Sequence, residues 1–311
     1  MLISDQQTEQ MMVYQVEAED HFKTIKQVLK TRLDFSSRLL TKLKKDKSVF
    51  LNDEYVKYHE EVKEGDYIKI LMEEEPNQFT PQDIPFHVIY EDVDVIVINK
   101  QPGIVSHPTK SHPIYTIANA ASYYLQKKGF EYRIRFVNRL DMDTSGLLVI
   151  AKNPYAHHVL SEQMQADLVE KRYITFVEGI VEADAGTIDA PIHRPTEDSI
   201  KRVVDEAGQA SITRYKVLER YENATMLEVE LLTGRTHQIR VHMNHLGHSI
   251  IGDTLYGNPD GKLIGRQALH AAYLKFYQPR FKNEIVVKAP LPDDLAELRE
   301  RLKKEKVEDK R

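Results

Sequence analysis

Residues 135–150 read RFVNRLDMDTSGLLVI, a polar loop that runs directly into an apolar segment. The apolar segment, residues 147–151, has the length and composition of a buried strand. The loop before it holds two carboxylates, an arginine and two hydroxyl groups around a glycine turn. A loop that leads into a buried strand is where a rigid scaffold presents reactive side chains. The stretch therefore predicts a sheet with a functional loop at the start of a buried strand.

Around this segment, predicted strands outnumber predicted helices. Further strands are predicted at 88–90, 93–99, 173–181, 211–218, 225–232 and 271–276, and helices at 117–128, 157–168 and 293–306. No regular strand–helix alternation occurs, and this argues against a doubly wound parallel sheet. We predict an α+β domain over residues 86–311, built on a mixed, mainly antiparallel sheet.

Residues 1–75 are predicted to form a separate small α/β domain. Two helices and two short strands are expected in it, at 25–33, 39–43, 48–51 and 66–72. Ser36 or Ser37 is suited to cap the second helix. The acidic run that ends at Pro76 predicts a linker over residues 76–85.

The helix pair of this small domain is strongly basic. Residues 23–47 contain nine basic and two acidic side chains, although the whole chain has a net charge of −5. An amphipathic, locally basic surface predicts binding to the phosphates of structured RNA. The alternative is an ordinary solvated helix face.

Composition excludes several classes of protein. The sequence has no cysteine, so disulfides, thiolate catalysis and cysteine-ligated metal centres are excluded. It contains no uninterrupted apolar stretch of the ~18 residues that a membrane span needs. Residues 1–10 are polar and do not resemble a signal peptide. We expect a cytoplasmic monomer without contact to a membrane.

Asp141 is the carboxylate that a structural role explains least well. It lies between Leu140 and Met142, next to the predicted buried strand. A carboxylate in a desolvated cleft needs a cationic partner to stay ionised. Arg240, which lies between two apolar residues on a distant segment, is a candidate counter-ion.

The segment 231–248 contains two arginines and four histidines, which raises the question of a metal site. The first histidine spacing, from His237 to His242, is five residues, and no acidic residue lies within the segment. Zinc helices usually place histidines four residues apart with an acid nearby. No metal site is predicted, and His242 and His245 are expected to be structural or to face RNA.

Taken together, the motifs resemble those of the RluA-type pseudouridine synthases over roughly residues 85–290. The matching stretches are NKQPG at 99–103, RLD at 139–141 with TSGL at 144–147, KRY at 171–173, TGRTHQIRVH at 233–242, GDTLYG at 252–257 and LHA at 269–271. Residues 22–72 resemble the small RNA-binding module that is shared with a ribosomal small-subunit protein, the S-four domain.

The resemblance implies roles for individual residues. Asp141 is similar to the aspartate that assists release of uracil from its ribose, and Arg240 to the residue that forms a salt bridge with it. Tyr173 is similar to the tyrosine that packs on the target base and is a candidate base in proton transfer. The resemblance also implies RNA-binding residues at the cleft, namely Arg139, which is associated with displacing the target nucleotide, Arg235 and His237.

The same resemblance implies a cleft across the middle of the sheet and no metal or organic cofactor. The implied reaction is isomerisation of specific uridines in structured RNA to pseudouridine. Three positions depart from the family pattern. Asn138 replaces the usual histidine, and we expect altered RNA contacts with retained activity; Thr109 and Asp53 stand where glycines are common.

Other functions remain open at this point. Ribosomal RNA is the favoured substrate because of the basic module, and transfer RNA is the alternative. A non-catalytic RNA-binding or ribosome-assembly protein would have no need for Asp141, Tyr173 and Arg240 together. A glycosidase or nucleosidase normally uses two carboxylates, and only Asp143 lies close in sequence.

Overall fold

The computed structural model describes residues 1–73, 75–258 and 263–308. Buried apolar side chains form three clusters. One is formed by the N-terminal unit together with Tyr155 and Val159, and the other two cover the large sheet that follows it. Within the described residues, no helix is both long enough and apolar enough to cross a membrane.

The N-terminal unit is a four-stranded antiparallel sheet with two helices. Its elements are β1 (Met11–Gln15), α1 (Ile25–Thr31), α2 (Ser37–Lys45), β2 (Val49–Leu51), β3 (Glu54–Tyr55) and β4 (Tyr67–Leu71), with the strand order β1-β4-β2-β3. β1 was not predicted, because polar residues flank its short apolar run; in the structure it pairs with β4, and Met12 and Tyr14 are buried in the core. Ser36 caps α2 by accepting a hydrogen bond from the amide of Leu39, as its sequence position suggested.

Part of the basic character of this unit is neutralised internally. The buried carboxylate of Asp20 accepts hydrogen bonds from Lys23 and Arg32, and Lys42 pairs with Glu75. The remaining six basic residues of the 23–47 segment are exposed, namely Lys26, Lys30, Arg38, Lys44, Lys45 and Lys47. The unit therefore presents a smaller positive surface than its composition suggests.

The larger unit contains one ten-stranded sheet. Its elements are β5 (His87–Glu91), β6 (Val95–Lys100), α3 (Ile117–Lys127), β7 (Arg135–Phe136), β8 (Ser145–Ala151), α4 (Pro154–Gln165), β9 (Glu170–Glu178), β10 (Ala185–Asp189), β11 (Ile192–His193), β12 (Val203–Val204), β13 (Ile212–Arg220), β14 (Ala224–Leu231), α5 (Gln238–His245), β15 (Leu269–Tyr277), β16 (Glu284–Lys288) and α6 (Asp293–Glu308). The main path of the sheet is β10-β13-β14-β9-β15-β8-β6-β5, and β11 and β12 pair separately. The predicted mixed, mainly antiparallel sheet is confirmed, with β8 and β15 as its parallel pair.

The apolar segment that follows the RLD loop is a central strand. Every residue of β8 is buried, and the strand lies between β6 and β15. Gly146 has φ +112°, and a Cβ atom at this position would overlap the backbone of Ala271. The glycine therefore allows β15 to approach closely just beyond the loop.

The predicted helix at 157–168 and the chain after the NKQPG turn need further description. The helix predicted at 157–168 is α4, which begins three residues earlier because Asn153 caps it and Pro154 suits the first helical position. It ends before Asp167, whose φ of +54° is incompatible with a helix. No strand follows the Pro-Gly turn at 102–103; instead the carbonyl of Val105 accepts a hydrogen bond from the amide of Ile117 at the start of α3.

Segment 76–85, which we predicted to be a linker, lies against α3. The side-chain amide of Asn119 donates a hydrogen bond to the carbonyl of Thr80, and the backbone carbonyl of Asn119 accepts one from the amide of Gln82. Ile84 is buried in the core of the larger unit. The chain is therefore held to the larger unit before β5 begins.

A buried arginine of the larger unit connects it to the N-terminal unit. Arg280 donates to Asp94 at 2.9 Å, and both side chains are 0% exposed. The same guanidinium donates to the carbonyls of Met11 and Glu9. On the same side, the ring of Tyr155 in α4 packs on Phe35 at a centroid distance of 4.9 Å. Residues of the N-terminal strand region thus complete the hydrogen bonding of a buried arginine of the larger unit.

We expect Arg280→Met to destabilise the protein by about 3–5 kcal/mol, because it leaves the buried Asp94 without its cationic partner. The matched control is Lys282→Met, which removes an exposed pair with Asp34 between the same two units. That change should cost less than about 1 kcal/mol. Urea unfolding measures both, and equal effects would contradict a structural role for the buried pair.

Candidate active site

A cleft of about 930 Å³ lies over the central strands of the large sheet. It is bounded by the loop before β8, by β9, by the end of β14 and by the start of α5. Six residues that the sequence singled out all line it: Arg139, Asp141, Tyr173, Arg235, His237 and Arg240. They come from three distant parts of the chain, and the sheet brings them together.

Arg240, on α5, connects two carboxylates. Its Nε and Nη2 atoms donate to the two oxygens of Asp253 at 2.6 and 2.8 Å, and Nη1 donates to Asp141 Oδ2 at 3.1 Å. The Asp253 side chain is 0% exposed, whereas that of Asp141 is 21% exposed and faces the cleft. Because a two-pronged contact fixes the plane of a guanidinium, Asp253 directs the remaining N–H group of Arg240 at Asp141.

Asp141, Arg240 and Asp253 stabilise one another in their charged forms. Burial opposes ionisation of Asp253, but hydrogen bonds from Arg240 and from the amides of Leu255 and Tyr256 outweigh it and lower the pKa of the carboxyl. Burial likewise opposes the charge on Arg240, and the two carboxylates together raise the pKa of its guanidinium. Asp253 lies in the GDTLYG stretch, but no local pattern indicated a role for it.

Tyr173 forms one wall of the cleft beside Asp141. It lies on β9, paired with Val229 on one side and Ala271 on the other, and its side chain is buried. Burial and the nearby charge of Asp141 both raise the pKa of its phenol. Tyr173 is therefore a neutral phenol at physiological pH, with its ring held by the strand.

His237 precedes α5 in the left-handed conformation, with φ +58°. Its Nε2 atom lies 3.7 Å from Asp141 Oδ2, and its Nδ1 atom lies 2.9 Å from the hydroxyl of Tyr256. Burial lowers the pKa of the imidazole, and the opposing charge of Asp141 does not reverse this. His237 is consequently a neutral side chain close to the carboxylate.

Two arginines lie at the rim of the cleft. Arg139 is exposed and precedes Asp141 by two residues, and Arg235 is exposed and donates to the carbonyl of Ala210 at 3.3 Å. Between the rim and the core, the ring of His107 packs edge-on against Phe136 at 4.5 Å. Exposed guanidinium groups beside aromatic rings suit contact with phosphates and bases.

A buried lysine supports the Asp141 loop from below. The ammonium group of Lys100 donates to the carbonyls of Gln101, Ile104 and Met142 at 2.8–2.9 Å. Burial lowers the pKa of Lys100 to about 7, although the charges of Asp143 and Asp141 partly counter this effect. The lysine thereby ties the NKQPG turn to the residue that follows Asp141, a role that no local pattern indicated.

The depressed pKa of Lys100 makes its contribution to stability depend on pH. Between about pH 7 and its ordinary value near 10.5, the unfolded chain holds a proton that the folded protein has released, so rising pH favours folding. We expect the stability of the wild type relative to Lys100→Met to increase across this window and to stay constant below it. Urea unfolding at several pH values measures this, with the exposed Lys26→Met as control; parallel pH curves for Lys100→Met and the wild type would contradict the expectation.

The side-chain amide groups of Asn138 and Gln238 fix the loops of the site through hydrogen bonds. The side chain of Asn138 accepts a hydrogen bond from the amide of Val149 and donates to the carbonyl of Leu147, so it anchors the loop to β8. Gln238 accepts from Thr233 and from the amide of Arg235. Asn138 lines the cleft, but both ends of its side chain are engaged with the strand.

The remaining histidines of the 231–248 segment lie apart from the reactive groups. The imidazole nitrogens of His242 bond to Thr213 Oγ1 and to the carbonyl of Ala190, and the residue is buried. His248 bonds to the carbonyl of Glu178. His242 is therefore structural, one of the two roles expected for it, while His245 is exposed.

Comparison with known sequences gives consistent results. A family model described as RNA pseudouridylate synthase matches residues 94–245. The chain is 40% identical over 269 residues to the uncharacterized RNA pseudouridine synthase YjbO of Bacillus subtilis (strain 168), covering 86% of this chain and 95% of that protein. It is 38% identical over 286 residues to ribosomal large subunit pseudouridine synthase D of Xanthomonas campestris pv. campestris, covering 88% of this chain and 86% of that protein.

Solved structures agree with these matches. Human RNA pseudouridylate synthase domain containing 1 superposes with a TM-score of 0.56 at 26% identity, over 67% of this chain and 84% of that one. Human RNA pseudouridylate synthase domain containing 4 has the same fold, with a TM-score of 0.58 at 23% identity over 70% of this chain and 92% of the other. With its matched length and its mixed sheet, this chain belongs to the RNA pseudouridine synthase family.

Proposed function

We propose that this protein isomerises one or more uridines of ribosomal RNA to pseudouridine, with Asp141 as the essential carboxylate. The relative from Xanthomonas campestris is named for the large ribosomal subunit, and this supports ribosomal RNA as the substrate. The single observation that carries the catalytic part is the Asp141–Arg240–Asp253 arrangement at the cleft. Activity as a monomer is part of the proposal.

The reaction is balanced without any external reactant. The N1–C1′ bond of uridine breaks with its electron pair on the uracil, the base turns, and C5 forms a new bond to C1′. The proton lost from C5 is matched by the proton gained at N1, so nothing is oxidised or reduced. The protein must hold the sugar and the free base together while the base turns.

Asp141 meets the main chemical requirement of this reaction. When the N1–C1′ bond breaks, C1′ becomes electron-poor, and a carboxylate can stabilise or trap it, as carboxylates do in glycoside hydrolysis. Arg240 keeps the carboxylate ionised within the partly desolvated cleft. Asp143 does not line the cleft, so the second carboxylate that a nucleosidase would draw from this loop is not in position.

Tyr173 is proposed to support the base by packing on it. Its ring is rigidly held on β9 and offers a flat face with a polar tip. Burial and the charge of Asp141 raise the pKa of its phenol, and the role in proton transfer that the family resemblance implies stays a prediction. Tyr173 therefore acts as a platform that keeps the detached uracil next to C1′.

RNA binding is assigned to the rim and to the N-terminal unit. The target nucleotide must leave its stack, at a cost of a few kcal/mol, and Arg139 is placed to occupy the space that it leaves. Arg235 and His237 are proposed to contact the flipped nucleotide. The six exposed basic residues of α1, α2 and their flanks provide phosphate contacts outside the cleft.

The test is pseudouridine mapping of total RNA from cells with and without this protein, by chemical labelling and reverse-transcription stops. We expect one or a few stops in ribosomal RNA to disappear and to return with the wild-type gene. Loss of stops only in transfer RNA would support the proposed isomerisation of uridine but contradict ribosomal RNA as its substrate. No change in any RNA class would favour the non-catalytic RNA-binding alternative.

A further inference from the structure

We infer that Tyr256 is a positioning residue that fixes the tautomer of His237, so that the imidazole presents an N–H group to Asp141. This inference deepens the proposed function and rests on it for its catalytic meaning. Tyr256 follows the buried Asp253 by three residues, and its ring also lies under the guanidinium of Arg240, at 5.1 Å. Tyr256 therefore contacts both His237 and Arg240, the two side chains next to the Asp141 carboxylate.

The direction of the hydrogen bonds follows from donor chemistry. The backbone N–H of Arg202 lies 2.7 Å from the Tyr256 hydroxyl oxygen, and an amide N–H can only donate. The hydroxyl oxygen is therefore an acceptor for Arg202. Among the described residues, its other partner is His237 Nδ1 at 2.9 Å, the one acceptor there for the hydroxyl hydrogen, and we infer that the hydroxyl donates to it. Nδ1 then has no hydrogen of its own, and the neutral ring carries its proton on Nε2.

The amide that starts this chain of bonds is itself held rigidly. The turn that leads from β11 to β12 folds back on the guanidinium of Arg202, which donates to the carbonyls of Ser199, Ile200 and Lys201. The amide of Arg202 is thus placed by a local structure outside the cleft. The bonds run from this turn through Tyr256 to His237, and they end at the cleft.

The tautomer matters because of what faces Asp141. His237 Nε2 lies 3.7 Å from the carboxylate oxygen, too far for a direct hydrogen bond but close enough for a substrate hydroxyl or a water molecule to connect them. With the proton on Nε2, a donor faces the carboxylate. With the proton on Nδ1, a lone pair would face it and repel the charge that the reaction requires.

The first test is nitrogen NMR of protein labelled in histidine, which distinguishes the two tautomers without measuring activity. The signals of His237 are assigned by their loss in His237→Gln. We expect the Nε2–H form in the wild type and a mixture or the Nδ1–H form in Tyr256→Phe, which removes only the hydroxyl. An Nδ1–H wild type, or an unchanged ring in Tyr256→Phe, would overturn the inference even if the enzyme proves active.

The second test asks whether Tyr256 acts through His237. We expect Tyr256→Phe to lower the single-turnover rate by about 5- to 10-fold, with RNA affinity unchanged, since the hydrogen bond that orients His237 is lost. In the His237→Gln background the same change should have no further effect. Equal losses in both backgrounds would overturn the inference.

A matched control separates this effect from general loss of stability. Tyr221→Phe removes a tyrosine hydroxyl that bonds to Glu219, remote from the cleft, and it should leave the rate unchanged. If the wild type forms no pseudouridine in any RNA, the proposed function fails, whereas the NMR result still decides the tautomer.

Discussion

Asp141→Asn is expected to abolish pseudouridine formation, with a loss of at least roughly 10³-fold in the single-turnover rate. Asparagine has nearly the same shape and keeps an oxygen that can accept the hydrogen bond from Arg240 Nη1. It has no charge, so it can neither stabilise an electron-poor C1′ nor form a bond to it. Purified protein and a ribosomal RNA transcript suffice for the measurement.

The control for this variant is Asp143→Asn, which removes a carboxylate from the same loop outside the cleft. It should retain activity close to that of the wild type. Thermal unfolding and RNA affinity of Asp141→Asn should also stay close to the wild type, because the buried partner Asp253 still engages Arg240. A folded Asp141→Asn protein with full activity would refute the proposed mechanism.

Arg240→Met is expected to lose activity and to destabilise the protein by about 3–5 kcal/mol. Both effects have one origin, because the guanidinium serves the buried Asp253 and the cleft-facing Asp141 at the same time. Methionine fills a similar volume and leaves both carboxylates without their cation. Urea unfolding and single-turnover assays measure the two effects separately.

The double variant Arg240→Met/Asp253→Asn distinguishes these roles. Removing the buried charge should restore most of the stability, while the loss of activity should persist because Asp141 still lacks its partner. Recovery of activity in the double variant would show that Asp141 does not depend on Arg240.

The stability defect of Arg240→Met should also depend on pH. In the wild type the pKa of Asp253 is lowered, so its stabilising contribution is present above about pH 4 and is lost as the pH falls through the lower folded value. Without Arg240, burial raises the pKa of Asp253 instead. As the pH falls, protonation of Asp253 removes the unpaired buried charge and lessens the destabilisation of the variant. The difference in the free energy of unfolding between the wild type and Arg240→Met should therefore decrease from pH 7 towards pH 4.

Local patterns along the chain predicted the central strands and the longer helices, but not β1, β10 or β16. The apolar run after the RLD loop predicted the buried strand β8, because a continuous hydrophobic segment of that length has few alternatives. Asp141 and Arg240 were paired as a hypothesis from their apolar neighbours, although 99 residues separate them. The observed start of a helix differs from the predicted one where a capping residue determines it, as Asn153 does for α4.

What the sequence alone determined, then, is the class of fold, the course of the central strands and the kinds of side chain at the cleft. The groups that support these side chains could not be predicted, because the supporting contacts join segments that are distant in sequence. Lys100 holds the carbonyl of Met142, Asp253 orients Arg240, and Tyr256 connects His237 to the amide of Arg202. Arg280 pairs with Asp94, 186 residues away, and likewise donates to the carbonyl of Met11 in the N-terminal unit. Hydropathy and propensity describe neighbours along the chain, whereas a hydrogen bond of 3 Å depends on how the sheet brings its strands together.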